Sequence, residues 1–531
     1  MATTPQKFQI RIESILGGHS RTRYFAAANQ FQESLGIDPG QGDGIIYPIP
    51  SKNQFDGAGI PFWILPPTPK VAQLSYIYDS TGSVYSYNPI SSPAVTALSD
   101  AGEMTGGVGN GAAYYDNYVY FSKNTTIARY GPLNGTKGFN GDYWAGTLSL
   151  TQLTNLTGTY PRETNNTVEF PTHILHRHSD GRLYIADVVD NQGTLHYIKT
   201  TKTTVEGDTN DGSTYNILQF GYGLKPIAME SYGDQLVIAL WEGPRGNTQG
   251  QRAKLVFWDT VSTRINQILW VEFPDSLISA LKNINGTLYI ISGRDLQTGF
   301  RVSRYIGGYS VEEVAYMDRR NVSLPLPCGV DGNANRLIFA ASTDFSNDDP
   351  NIQVASIYSL GLQKHISDGV FNVMSCTQSV YSIGYSTRLL PGTIGADTMV
   401  LGWSDGSVHG MDTQTGNYTA NRSLAPQFWL SQYYRIGQPF KVTKLRIPVD
   451  RAISTNHSFT IKVIVDDSTT YTLTSASSTN DNGKFNVVRR SDSSGNPILG
   501  QNNFYLQLGW TGSSLIGVTF PITIEYELID D

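Results

Sequence analysis

The sequence predicts an all-β protein, a multi-bladed β-propeller followed by an antiparallel β-sandwich. Three observations carry this. A turn-then-strand pattern recurs along the chain, the composition suits strands joined by tight turns, and the C-terminal segment changes to two-residue alternation.

At 531 residues the chain is too long for one compact core unless the architecture is repetitive. Charged residues are 16% of it, whereas aromatics reach 11% with 31 Tyr, the palette of strands and turns. The net charge of −7 comes from 45 acids and 38 bases scattered along the chain, so no basic face is available for phosphate and no nucleic-acid partner is expected. Two cysteines, Cys328 and Cys376, cannot provide a disulfide framework. Residues 1–9 contain neither a basic nor an apolar leader region, and no stretch approaches the ~18 apolar residues of a membrane span. Synthesis in a host cytoplasm without export, and no membrane insertion, are therefore expected. The sequons at Asn285, Asn321 and Asn456 are expected by chance in a chain rich in Asn, Ser and Thr.

Residues 1–70 fit neither pattern. They hold Gly17-Gly18, Pro39-Gly40 and the run Pro61-Phe62-Trp63-Ile64-Leu65-Pro66-Pro67, and read as an extended arm that must dock, either on its own propeller, closing the ring with a strand, or on a neighbouring subunit.

Residues 71–425 are assigned to the propeller. A pair of Asn, Asp or Gly residues precedes a strand at Tyr118, Arg182, Gln235, Thr287, Arg336 and Thr398. The second residues of these strands, Val119, Leu183, Leu236, Leu288, Leu337 and Met399, are separated by 64, 53, 52, 49 and 62 positions, which suits a four-stranded blade with its loops. A second strand follows each marker, bearing Tyr130, Tyr197, Trp258, Tyr305, Tyr358 or His409, so each unit contains a hairpin. A weaker copy at 74–78 and 84–87 brings the units to seven, with six or eight left open. Segments of this length are too short for separate sandwich cores, whereas neighbouring blades bury each other's faces. The best helix candidate, residues 276–282, is too short.

Residues 426–531 form the sandwich, with strands expected at 440–449, 459–465, 471–474, 485–488, 504–510, 516–520 and 522–528. In the last of these Ile522, Ile524, Tyr526 and Leu528 alternate with Thr523, Glu525 and Glu527, giving one dry and one wet face.

Three phrases carry a family resemblance: the opening Gly-Gly turn with Asn29-Gln30-Phe31 and Gly36-Ile37-Asp38-Pro39, the blade array, and Tyr433-Tyr434-Arg435-Ile436-Gly437-Gln438-Pro439-Phe440 entering the sandwich. Together they resemble tailed-bacteriophage (Caudoviricetes-type) virion structural proteins. The resemblance implies a non-enzymatic part of the tail or adhesion apparatus, located in the virion, whose partners are other virion proteins and copies of itself. It transfers no functional residue. A receptor-binding or glycan-binding propeller at the tail tip, touching a host surface, is the alternative, and a polysaccharide-active enzyme the second alternative.

Neither a catalytic, cofactor-binding nor metal site is expected. Ser179-Asp180-Gly181 and Ser404-Asp405-Gly406 approach the Asp-box of sialidases but lack its aromatic, and read as hairpin turns. His173, His176 and His178 form the only histidine cluster, with 176 and 178 sharing a strand face. Asp450, Asp466, Asp467, Asp530 and Asp531 lack the spacing of a calcium cage. No nucleophile elbow, phosphate loop or zinc-spaced cysteine pair is present. Tyr114, Tyr115, Tyr143, Trp144, Phe428 and Trp429 are candidate contact aromatics.

Overall fold

A computed structural model describes residues 7–15, 29–35, 37–38, 45–48, 52–57, 61–66, 74–79, 83–88, 94–98, 111–123, 126–140, 174–189, 192–198, 213–242, 253–263, 268–275, 277–293, 299–317, 324–333, 336–344, 353–362, 365–376, 382–391, 397–414, 427–453, 459–474, 478–481, 484–510 and 516–529. The protein is all-β: among the described residues one 3-10 turn, Pro327–Gly329, interrupts a succession of antiparallel strands.

Seven four-stranded sheets, counted among the described residues, form the propeller. Blade 1 consists of Pro61–Ile64, Ser75–Asp79, Val84–Asn88 and Ala94–Ala97, and blade 2 of Ala112–Tyr115, Tyr118–Lys123, Thr126–Gly131 and Gly138–Asn140. Blade 3 runs from Ile174–Arg177 through Leu183–Val189 and Gln192–Ile198 to Ser213–Tyr222, and blade 4 from Leu224–Tyr232 through Gln235–Glu242 and Lys254–Trp258 to Leu269–Glu272. Blade 5 comprises Leu277–Ile284, Thr287–Gly293, Phe300–Gly307 and Ser310–Met317, and blade 6 Val330–Gly332, Leu337–Asp344, Gln353–Leu362 and His365–Ser375. Blade 7 takes only Ile383–Pro391, Asp397–Ser404 and His409–Gln414 from this part of the chain. Its fourth strand is Lys52–Gly57, paired with His409–Gln414 from Lys52 opposite Gln414 to Gly57 opposite His409.

The marker strands are the second strand of each blade, and the aromatic strands that follow are the third, paired as hairpins such as Val119 with Tyr130, Leu236 with Trp258 and Phe339 with Tyr358. The short turns before the markers have the left-handed backbone that a two-residue hairpin needs. Asp116 and Asn117 have φ of 39° and 71°, Asn285 and Gly286 of 50° and 80°. Blades are glued by apolar faces and aromatic side chains. Tyr78 meets Phe121 at 5.1 Å and donates its hydroxyl to the Ser122 carbonyl at 2.8 Å, while Phe300 of blade 5 meets Phe339 of blade 6 edge-on at 5.3 Å.

The sandwich has two six-stranded sheets. One orders Lys7–Ile12, Ile522–Leu528, Phe440–Val449, Lys484–Arg489 and Thr479–Asp481, with Ile498–Gly500 also on Phe440–Val449. The other orders Glu33–Leu35, Gln427–Leu430, Asn503–Trp510, Phe459–Val465 and Thr469–Thr474, with Tyr434–Arg435 on Asn503–Trp510. Strand Phe459–Val465 alternates buried and half-buried along its whole length, as one dry face requires.

Two expectations are corrected here. Residues 1–70 are not one extended arm: the described parts give a strand to each sandwich sheet, the closing strand of blade 7 and the first strand of blade 1. A three-stranded last blade and two open sheet edges would expose unpaired N–H and C=O groups, and the chain's own N-terminal segment satisfies them in cis. The sandwich is accordingly not built from 426–531 alone. The strand expected at 516–520 is also absent: Val518 bridges Ile46 and Val449 singly, and Pro521 has no N–H to continue a ladder.

Propeller and sandwich share one core. Phe31 lies between Phe371 of blade 6, at 5.8 Å, and Trp429 of the sandwich, at 6.3 Å, and the same cluster holds Ile357, Leu401, Trp403, Phe440 and Leu508.

Candidate functional site

The first strands of the blades line the axis of the ring, most of them adjoining the first strand of the next blade. In blades 3 to 7 one ladder position of these strands carries a polar or ionisable residue every time. His176 pairs with Tyr184, Glu230 with Val237, Lys282 with Tyr289, Asp331 with Ile338 and Arg388 with Val400, in each case opposite the residue that follows the marker. Tyr114 of blade 2 lies near the same belt: its hydroxyl donates to the Leu74 carbonyl at 3.4 Å, and it is close enough to Arg388 to feel that charge.

Over blades 5, 6 and 7 the belt alternates in charge. Asp331 Oδ1 takes the Lys282 ammonium of blade 5 at 3.0 Å and the Arg388 guanidinium of blade 7 at 3.2 Å, and Asp331 Oδ2 accepts the Leu389 N–H at 2.9 Å. Burial disfavours the carboxylate, but the two cations and the Leu389 N–H outweigh it and hold Asp331 below the usual carboxylate range. Arg388 Nε also donates to the Ile64 carbonyl at 2.6 Å, so one side chain ties blade 7 to blade 1 as well as to blade 6. Glu230 accepts its neighbour's N–H, from Ser231, at 3.0 Å. Burial pushes its carboxyl up, against the pull of Lys282.

Next to Glu230, Ser231 Oγ lies 2.8 Å from His176 Nε2 and 2.8 Å from His178 Nδ1. One imidazole accepts the hydroxyl proton and the other donates its N–H to the oxygen. Burial, with His178 and Lys282 nearby, lowers His176 to about 3, so it is neutral at physiological pH. The two histidines do share a strand face, and it faces a serine of the next blade; His173 lies outside the described residues. Among the described residues no group of three or more His, Cys, Asp and Glu is placed to hold a metal ion.

The other sequence candidates disperse. Asp180 accepts Arg182 N–H at 3.0 Å and Tyr184 O–H at 2.7 Å, and Asp405 accepts the Ser407 and Val408 N–H groups, so both Asp-Gly phrases cap turns. Asp466 accepts the N–H groups of Gln501, Asn502 and Asn503, Asp467 the Tyr433 hydroxyl, and Asp450 the Gly517 N–H. Each carboxylate is thus spent on holding a loop; Asp530 and Asp531 lie outside the described residues. Of the aromatics, Trp429 is core, Tyr115 is buried with its hydroxyl on the Gly181 carbonyl of blade 3, Tyr114 belongs to the hub, and Phe428 is half-buried. Tyr143 and Trp144 lie outside the described residues. The hub residues Glu230, Lys282, Asp331 and Arg388 were missed. The signal for three of them is positional: Glu230, Lys282 and Asp331 each stand six residues before Leu236, Leu288 and Leu337.

No family model matches the chain, and no curated protein matches it. Among solved structures, it is similar to an exo-beta-1,3-galactanase from Phanerochaete chrysosporium at 12% identity, over 78% of this chain and 94% of that one, with a TM-score of 0.29. It is similar to the WD40 beta-propeller domain of Doa1 at 10% identity, over 69% and 97%, with a TM-score of 0.38. The extracellular domain of a hybrid two-component system, BT4673 from B. thetaiotaomicron, gives 11% identity over 74% and 43%, with a TM-score of 0.39. At this depth the likenesses say nothing about chemistry, and the propeller rests on its own strand pairing.

Proposed function

We propose that the chain is a non-enzymatic structural component of a tailed-phage virion, in the tail or adhesion apparatus, acting through protein-protein assembly contacts with other virion proteins and copies of itself. The observation that carries this reading is the way the molecule spends its polar groups. Asp331 is filled by Lys282, Arg388 and Leu389, and these contacts tie blades 5, 6 and 7 together instead of presenting a carboxylate pair to a substrate. The core shared across Phe31 makes propeller and sandwich one stiff body, the property a particle part needs in the absence of disulfides. Electron microscopy of the purified chain, with mass measurement in solution, tests it. Closed rings or symmetric oligomers are expected, and a chain that stays single while turning over polysaccharide overturns the reading.

A host-receptor or glycan-binding role at the tail tip is the second reading, favoured by Tyr222 and Tyr309, which are 67% and 76% exposed at blade ends. Stacking on sugar rings is a use for such side chains, and a glycan array probed with the isolated chain distinguishes it from a purely assembling part.

A further inference from the structure

The hub has more hydrogen-bond donors than its own acceptors use. Lys282 has three ammonium N–H groups and, among the described residues, spends one on Asp331. Arg388 has five and, among the described residues, spends Nε on Ile64 and one Nη1 on Asp331. Their side chains keep 23% and 13% of their surface, so neither is sealed off, and the two cations share a single carboxylate oxygen. Two positive charges therefore meet one buried negative charge. The other acid of the belt, Glu230, sits where burial favours its neutral form. On the other side of Glu230, His176 is neutral and engaged with Ser231.

We infer that the hub binds a small oxyanion, a carboxylate or phosphate group, through the donors of Lys282 and Arg388 that Asp331 leaves free. This goes beyond the assembly reading and stands or falls separately from it, since an anion in the hub requires no oligomer. The planar fork of Arg388 suits two oxygens of one group, while Lys282 adds a point charge from the opposite side of Asp331's blade. A bound anion would offset the excess positive charge of the triad and add a tie between blades 5 and 7.

The test uses the full chain, titrated separately with sodium acetate and sodium phosphate at constant ionic strength held by sodium chloride, with thermal midpoint and calorimetric heat as readouts. A saturable rise in midpoint, half-complete on the order of millimolar, is expected for at least one anion, and the stronger arm identifies carboxylate or phosphate as the preferred group. Lys282→Met abolishes the saturable response. A linear response of the parent chain equal to that of sodium chloride overturns the inference, and this outcome is decisive even if Lys282→Met fails to fold.

Discussion

At the scale of residues, the hub shows how costly a single deletion becomes when a carboxylate serves three donors. Asp331→Ala leaves Lys282 and Arg388 without their shared anion and the Leu389 N–H without its acceptor. A loss of roughly 3–5 kcal/mol is expected, read as a lower urea midpoint with unchanged slope, and a loss below about 1 kcal/mol would show that the triad is surface-like. Acid acts on a different residue. His196, 4% exposed, has Nε2 at 3.3 Å from Thr194 Oγ1, and burial lowers its imidazole to about 4. In the unfolded chain it titrates near 6.5, so between about 6.5 and 4 the unfolded state binds more protons and stability falls as pH falls. The slope from this residue reaches up to about 1.4 kcal/mol per pH unit, and urea stability at pH 7, 5.5 and 4.5 should lose that component in His196→Gln. Only the common place of Glu230, Lys282 and Asp331, six residues before their markers, was legible in the sequence. Glu230, Lys282, Asp331 and Arg388 stand some fifty residues apart, and only the ring brings them together; each alone reads as an ordinary solvated charge.

At the scale of elements, the sequence exposes those strands whose pattern is local. The second and third strands of a blade form a hairpin with apolar or aromatic residues on both faces, and the second strand is preceded by a turn whose chemistry is visible, as at Asn285-Gly286. First strands are less legible because they mix hub charges with apolar residues, as in Leu277–Ile284, or are very short, as in Val330–Gly332. The closing strand Lys52–Gly57 was illegible for another reason: its partner His409–Gln414 lies more than 350 residues away, and nothing in the hexapeptide Lys-Asn-Gln-Phe-Asp-Gly marks it as a strand. The register of this closure hinges on Gly410, which pairs with Asp56. A Cβ there would stand 2.6 Å from the Trp403 ring and 3.0 Å from the Phe55 carbonyl, and Trp403 is fully buried. Gly410→Ala therefore pushes the closing strand off the blade. A destabilisation of about 1–3 kcal/mol is expected, with amide exchange accelerated in residues 52–57 ahead of the rest of blade 7; uniform exchange across the blade would place the strain elsewhere.

At the scale of the whole molecule, the question is whether the propeller and the sandwich unfold as one unit. Chains of this length ordinarily divide into domains that melt separately, and the sequence alone suggests such a division near residue 425. The packing argues for coupling. The segment bearing Phe31 leads into Glu33–Leu35, which pairs with Gln427–Leu430 of the sandwich, while Phe31 itself contacts Phe371 on the outermost strand of blade 6. Phe31 is 1% exposed and Trp429 is likewise 1% exposed, so apolar surface of both bodies is removed from water at one point. Removing the ring costs roughly 3–5 kcal/mol, drawn from the interface and not from either body's own sheets. The intact chain is expected to give a single calorimetric transition with equal van't Hoff and calorimetric enthalpies, and Phe31→Ala to give two, the propeller and the sandwich separating. Two transitions already present in the parent would mean that each body is stable without the other and that the shared core only sets their orientation.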